Sequence, residues 1–300
     1  MEELIMRDGK HVAVRYWEEV KSPRAAIVLV HGMCEYISRY DDFCRYLNDN
    51  GYYVMGMDNR SFGDTDKDEP GRGYVGMFED TVDDIAEEVT EAKRRWPNLS
   101  VYVIGHSYGS FLVQRFIEKY HAEVDGAILS GSALQSGLML KLGSFLANRK
   151  YKKHRDEPGK LFASMTFKSY DKRFNEGENA WLNRDKEAVA RYNADPRCHF
   201  TVSNGFYKSM FDGLKITNKE RNRVPAAFRL MIASGEDDGV GGYGKLVKKL
   251  VKSYEKKCGL SPRLKLYEEG RHEILNELNK GVVYEDFVSF LDDCENDKTK

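Results

Sequence analysis

The chain has 300 residues, enough for one or two domains with a sizeable core. Its 41% hydrophobic and 32% charged content is too balanced for a disordered chain, and no run of about 18 apolar residues is present to cross a bilayer. The 47 Lys+Arg and 48 Asp+Glu give −1, which excludes a global attraction to nucleic acid. Residues 1–8 contain no basic segment followed by an apolar stretch, so a secretory leader is not expected and the predicted location is cytoplasmic. Residues Leu4 to Trp17, broken by Arg7-Asp8-Gly9-Lys10, predict an antiparallel hairpin at a sheet edge, because Asp-Gly is a tight-turn signal. Six short apolar runs follow: 25–30, 53–57, 101–104, 126–129, 230–233 and 264–267. Rich in β-branched residues, they predict buried parallel strands. Helical patterns lie between them at Tyr40 to Asn48, Thr81 to Arg95 and Ser107 to Tyr120. Strand alternating with helix predicts an α/β fold, a mostly parallel central sheet flanked by helices.

The alternation stops after Ser130. Residues 132–224 show helical patches and eight scattered Phe and Trp residues but no strand pattern. A structureless loop of that length is uncommon in a compact domain, so an inserted helical cap or lid is predicted over 132–224. It divides the core into 1–131 and 225–300. Between Lys141 and Val224 there are 19 Lys+Arg against 10 Asp+Glu, leaving 28 against 38 elsewhere, so the insertion is the basic part of a neutral chain. The polar end, Asp292 to Lys300, predicts fraying. Cys34, Cys44, Cys198, Cys258 and Cys294 are odd in number and never spaced CxxC, which argues for free thiols and against a disulfide framework or a structural zinc site.

Gly105-His106-Ser107-Tyr108-Gly109 directly follows a predicted strand and opens a predicted helix. In that context a GxSxG is a nucleophile elbow: the two glycines permit a strained turn that lifts the serine above the sheet beside a helix N-terminus. A serine hydroxyl is a weak nucleophile and needs a base, in this architecture in the order Ser, acid, His. His272, after the last predicted strand, is the best-placed base, whereas His154 and His199 fall in the insertion. Glu236, Asp237 and Asp238 each offer the orienting carboxylate. The loop from His31 to Glu35 brings a second strand end, and the Met33 and Tyr108 amides are the candidate oxyanion hole. His31 is read as a brace for that loop.

Gly239-Val240-Gly241-Gly242-Tyr243-Gly244 matches GxGxxG, with Glu268-Glu269 downstream, and raises a nicotinamide-dependent alternative. Three acids before the first glycine would repel a pyrophosphate, and too little chain follows for a second nucleotide-binding half. No HExxH, EF-hand or GxxxxGK[ST] pattern occurs, so neither cofactor nor metal is expected.

These blocks resemble the α/β-hydrolase superfamily, in its serine aminopeptidase-like branch that includes monoacylglycerol lipases and bacterial lysophospholipases. The resemblance spans nearly the whole chain and is carried by 31–35 with Arg39-Tyr40, by 105–109, by 235–241 and by 271–277. It implies the α/β-hydrolase fold and, from a Gly-x-x-Asp-Pro-Val pattern, singles out Asp238, giving Ser107, Asp238 and His272 as the catalytic set. Gly239 replaces the usual proline, and Ser61-Phe62 replaces Gly-His in the related Asp-x-Arg-Gly-His-Gly loop. The implied reaction is hydrolysis of a small-molecule lipid ester, a monoacylglycerol or a lysophospholipid, with no cofactor. The basic insertion suggests transient contact with a membrane surface. An aminopeptidase, a general carboxylesterase and a non-catalytic hydrolase-like binding protein are the alternatives.

Overall fold

Residues 1–298 are described by the structure, a computed structural model. All six apolar runs are strands, to which the N-terminal hairpin adds two. The strands are β1 (Glu2–Ile5), β2 (His11–Trp17), β3 (Ala25–Val30), β4 (Tyr52–Met57), β5 (Ser100–His106), β6 (Gly126–Ser130), β7 (Leu230–Gly235) and β8 (Arg263–Tyr267). They form one sheet in the order β1-β2-β4-β3-β5-β6-β7-β8. Only β1 and β2 run antiparallel to their neighbours; every other pairing is parallel. This is the α/β-hydrolase architecture.

Alternation along the strands accounts for the two helical layers. Ile27 and Leu29 of β3 pack with Phe43 and Leu47 of α1 (Asp41–Asp49) and Phe287 and Leu291 of α9 (Lys280–Lys298). Ala26, Val28 and Val30 face the other way, toward α2 (Met77–Arg95), α3 (Tyr108–Tyr120) and α8 (Lys245–Cys258), through Ile85, Leu112, Phe116 and Leu250. A strand buried on both faces has no polar side to spare, which is why these runs read as continuous apolar segments. The chain leaves β3 toward β4 on one side and returns to β5 on the other, so the ends of β3 and β5 open a crevice at the reversal point.

Between β6 and β7 the chain forms α4 (Gly137–His154), α5 (Lys160–Phe174), α6 (Lys186–Ala194) and α7 (Asn204–Glu220). α7 lies close against α2, where a Cβ on Gly213 would come within 2.1 Å of the Phe78 ring. The aromatic side chains of this segment divide. Phe162 and Phe211 pack around Tyr207, and Phe206 packs on Tyr108 and Phe62 of the core, while others face the cavity described below.

The expected fraying at the C-terminus is corrected. α9 continues to Lys298, with Cys294 buried and Tyr52 and Tyr102 hydroxyls donating to Asp292 and Glu295. Lys298 pairs with Asp125. Asp292 and Glu295 are half-buried against the tyrosines of β4 and β5, while Asp293, Asn296 and Asp297 are exposed. Residues 299–300 lie outside the described residues. Among the described residues no helix is long and apolar enough to cross a membrane.

Candidate active site

Ser107 sits between β5 and α3 with φ 51 and ψ −118, a conformation that costs a non-glycine residue of order 1–3 kcal/mol. Its surroundings show why glycine flanks it. A Cβ at Gly105 would fall 2.6 Å from the Gly109 carbonyl oxygen, and one at Gly109 would fall 2.3 Å from that of Val30. The turn can therefore pack against β3 only without side chains at those two positions. The Ser107 amide donates to the Ser130 carbonyl at 2.9 Å, locking the turn to β6.

The three residues singled out from the sequence meet at this turn. Ser107 Oγ lies 2.7 Å from His272 Nε2. His272 Nδ1 lies 3.0 Å from Asp238 Oδ1, a close charge contact whose N–H direction falls off the line of a straight hydrogen bond. The same carboxylate accepts the Val240 amide at 2.8 Å and the Ser234 hydroxyl at 3.0 Å. The loops carrying Asp238 and His272 touch through their backbones, since a Cβ on Gly235 would sit 1.9 Å from the Gly270 oxygen. Asp237 instead pairs with Arg173 at the surface, and Glu236 is exposed.

Asp238 and His272 are both buried. Burial pushes the Asp238 carboxyl up, but the adjacent imidazole and the two hydrogen bonds outweigh it and hold it below the ordinary carboxylate range. Burial pushes His272 down, yet Asp238, then Glu273 and Glu35, raise it above its ordinary value. His106, whose ring centroid is 4.9 Å from that of His272, is lowered to about 3 by burial and by its neighbour's charge. It packs against His272 as a neutral ring.

The His31–Glu35 loop passes directly over Ser107: a Cβ on Gly32 would be 3.1 Å from Ser107 Cβ. Among the described residues, neither the Met33 nor the Tyr108 amide donates to a protein acceptor. His31 braces the loop. Its Nε2 accepts the Asn59 amide at 2.8 Å, so Nδ1 carries the proton and faces the Gly32 carbonyl at 2.8 Å. Glu35 accepts the Gly32 amide and the Tyr40 hydroxyl and pairs with Arg39. Arg39 in turn pairs with Glu273, next to His272. The loop's motif residues stood out in the sequence, but this buried chain of contacts, closing across more than 230 positions, left no local signal.

The insertion supplies the roof. The Glu273 amide donates to the Leu182 carbonyl at 2.8 Å, and the Trp181 ring lies 5.0 Å from the His272 ring. A cavity of about 360 Å³ reaches from Ser107 and His272 beneath this roof, lined by Met33, Phe167, Trp181, Leu182, Phe200 and Val202. Its polar lining includes Asp171, Glu178, Lys160 and His199, so the positive balance of the insertion is not concentrated in the cavity. In the GxGxxG segment, the Val240, Gly242 and Tyr243 amides are used by Asp238 and Gly239 oxygens. The segment spends its donors on the loop itself instead of presenting them to a phosphate.

The fold is shared with known proteins. The chain is 25% identical to a monoacylglycerol lipase of Mycolicibacterium smegmatis over 292 residues, covering 94% of this chain and 93% of the relative. It is 25% identical to a monoglyceride lipase of Rattus norvegicus, covering 94% and 87%. The crystal structure of a thermostable carboxyl esterase from Bacillus coagulans in complex with glycerol superposes with a TM-score of 0.86 at 24% identity, over 98% of each chain. The model of the family described as serine aminopeptidase, S33, matches residues 21–279, and the chain belongs to that family.

Proposed function

We propose that the protein is a serine ester hydrolase acting on lipid carboxylic esters, with monoacylglycerols or lysophospholipids as substrates and residues 132–224 as its cap. The observation that carries the reading is the relay from Ser107 Oγ to His272 Nε2 at 2.7 Å and from Nδ1 to Asp238 at 3.0 Å, beneath a cavity with apolar walls. Ser107 Oγ attacks the ester carbonyl carbon while its proton passes to His272 Nε2, and Asp238 fixes the imidazole and stabilises its charged form. The Met33 and Tyr108 amides receive the oxyanion. His272 then gives the proton to the leaving alcohol, and water, activated by the same base, releases the acid from the acyl-enzyme.

Contact with an anionic membrane surface belongs to this reading. On α4, Leu138, Met139 and Phe145 are 79%, 68% and 56% exposed, and every charged side chain of that helix is basic. Exposed apolar residues in the first half of α4, followed by cations in its last turns, suit contact with an anionic surface.

The test compares wild type with Ser107→Ala on a p-nitrophenyl ester series, a monoacylglycerol and lysophosphatidylcholine, together with labelling by a fluorophosphonate probe. Wild type turning over the lipid esters and taking the label, with the variant doing neither, is the expected result. Equal rates for the two proteins overturn the assignment. An aminopeptidase reading draws on Asp171 and Glu178 in the cavity lining, which suit an α-amino group. Faster turnover of aminoacyl-naphthylamides than of medium-chain esters would favour it.

A further inference from the structure

Gly239 stands where the related pattern has proline. A Cβ at this position would lie 2.5 Å from Cδ1 and 2.6 Å from Cγ of Tyr170, on α5 of the insertion. These atoms lie at the root of the ring, so neither alanine nor proline fits while the ring stays in place. Nothing else at the position calls for glycine. Its φ lies outside the left-handed region, and among the described residues its amide donates to no acceptor. The missing side chain is space that Tyr170 occupies.

That space adjoins the ionic pair of the site. Asp238 is the preceding residue and is fully buried. The Tyr170 ring is 5.5 Å from that of Trp181, which is itself 5.0 Å from His272. Burial, and then the charge of Asp238, raise the phenol above its ordinary range.

We propose that Tyr170 is a positioning residue for the Asp238–His272 pair: seated in the space left by Gly239, it keeps water from the carboxylate and so keeps its field on the imidazole strong. The inference rests on the hydrolase reading for its consequence in catalysis, but not for its geometry. In a low-dielectric setting a neighbouring charge acts on an imidazole several times more strongly than in water. Because Tyr170 belongs to the insertion, the base reaches full strength only while α5 is docked on the core. The other groups facing His272 are Glu273 and Glu35, both held by Arg39, and the neutral His106. The three atoms nearest a Cβ at Gly239 all belong to Tyr170.

The experiment is a ¹H–¹⁵N NMR titration of the His272 ring in the full chain, for wild type, Tyr170→Phe, Tyr170→Leu, Gly239→Ala and the Tyr170→Leu/Gly239→Ala double variant. Thermal melts establish that each is folded. Tyr170→Phe is expected to titrate like wild type. Tyr170→Leu and Gly239→Ala should each lower the pH of half-protonation by about one, by removing the ring or displacing it. The double variant should go no lower, since both changes act through one contact. The acid limb of kcat/KM on a p-nitrophenyl ester should move with the titration. Unchanged titration in the folded Tyr170→Leu and Gly239→Ala variants overturns the inference, as does an additive effect in the double variant. If the titrations behave as expected but wild type hydrolyses no ester, the hydrolase reading falls and the sealing role of Tyr170 stands.

Discussion

Arg39 holds Glu273 with two parallel contacts, Nη1–Oε1 at 2.8 Å and Nη2–Oε2 at 3.0 Å. The same guanidinium reaches Glu35 at 2.6 Å. One largely buried side chain thereby ties the loop over Ser107 to the loop that carries His272. Removing a single partner from such a cluster leaves charge buried without compensation, which typically costs roughly 3–5 kcal/mol. Arg39→Met is therefore expected to lose stability of that order in urea unfolding. Arg39→Lys should lose less, because it keeps the charge and forfeits only the planar fork. Both should depress ester hydrolysis, and an Arg39→Met protein of wild-type stability would contradict the argument.

The two shifted groups of the site predict the pH response. His272 is raised and acts as a base only when neutral, so kcat/KM should climb with pH along a limb whose midpoint lies above 6.5, the ordinary value. In stability the signs differ. The contribution of His272 is complete below its unfolded value and is lost as pH rises through the folded one. That of Asp238, which is lowered, is present above its unfolded value and is lost as pH falls through the folded one. Asp238→Asn should cut kcat and move the limb to lower pH. A rate profile in that variant superposable on wild type would remove Asp238 from the mechanism.

What the sequence disclosed, and what it hid, follows from the range of each interaction. Five of the six predicted strands, β3 to β7, were legible because each is buried on both faces and carries its own apolar run, whereas β8 is a half-buried edge strand marked only by Leu264, Leu266 and Tyr267. The turn at Ser107 was legible because its two glycines answer to contacts within a few residues and to β3. The choice among Glu236, Asp237 and Asp238 was not local, since it depends on which carboxylate reaches a histidine 34 or more positions away. Tyr170 on Gly239, Trp181 beside His272 and the Arg39–Glu273 pair had no sequence signal, because each joins segments that meet only in the folded chain. The polar C-terminus misled for the same reason, its partners being Tyr52 and Tyr102 of the sheet.

Glu88 on α2 is fully buried, and neither of its carboxyl oxygens has a hydrogen-bond partner among the described residues. Burial, and then the charge of Asp84, push it well above the usual carboxylate range. As pH rises past 4.5 the unfolded chain gives up this proton before the folded one, so stability falls with pH until the folded group also ionises. Glu88→Met keeps similar bulk and removes the polar atoms, and should stabilise the protein by about 1–3 kcal/mol at neutral pH. The gain should shrink in melts near pH 4. A constant gain across that range would mean that packing, not the buried proton, sets the effect.

The exposed face of α4 makes a separate prediction about surfaces. Leu138→Ser/Phe145→Ser removes apolar contact, whereas Lys150→Glu/Lys153→Glu reverses charge on the same helix. Both variants should sediment less with vesicles containing phosphatidylserine than wild type does, and turnover of a water-soluble p-nitrophenyl acetate should be unchanged. Added salt should weaken wild-type binding, because the Debye length shrinks to about 3 Å at 1 M. Binding to neutral phosphatidylcholine vesicles as strong as to anionic ones would exclude the electrostatic part.

Phe62 occupies the place of a histidine in the related pattern, next to Ser61, whose φ of 77 lies in the left-handed region where that pattern has glycine. The ring is fully buried and meets His31 at 5.8 Å, Phe206 at 5.3 Å, Tyr108 at 6.3 Å and Phe200 at 6.2 Å. It therefore joins the loop brace, the residue after Ser107 and the insertion in one apolar cluster, and a histidine there would bury ring nitrogens among hydrocarbon. Phe62→His is expected to cost about 1–3 kcal/mol for the unpaired polar group, and Phe62→Ala about 3–5 kcal/mol for the cavity. Phe200 lines the cavity beside Ser107, so on the proposed function Phe62→Leu should raise KM for long-chain esters with little change in kcat. If Phe62→His is instead as stable as wild type, the cluster is more tolerant of a polar ring than its packing indicates.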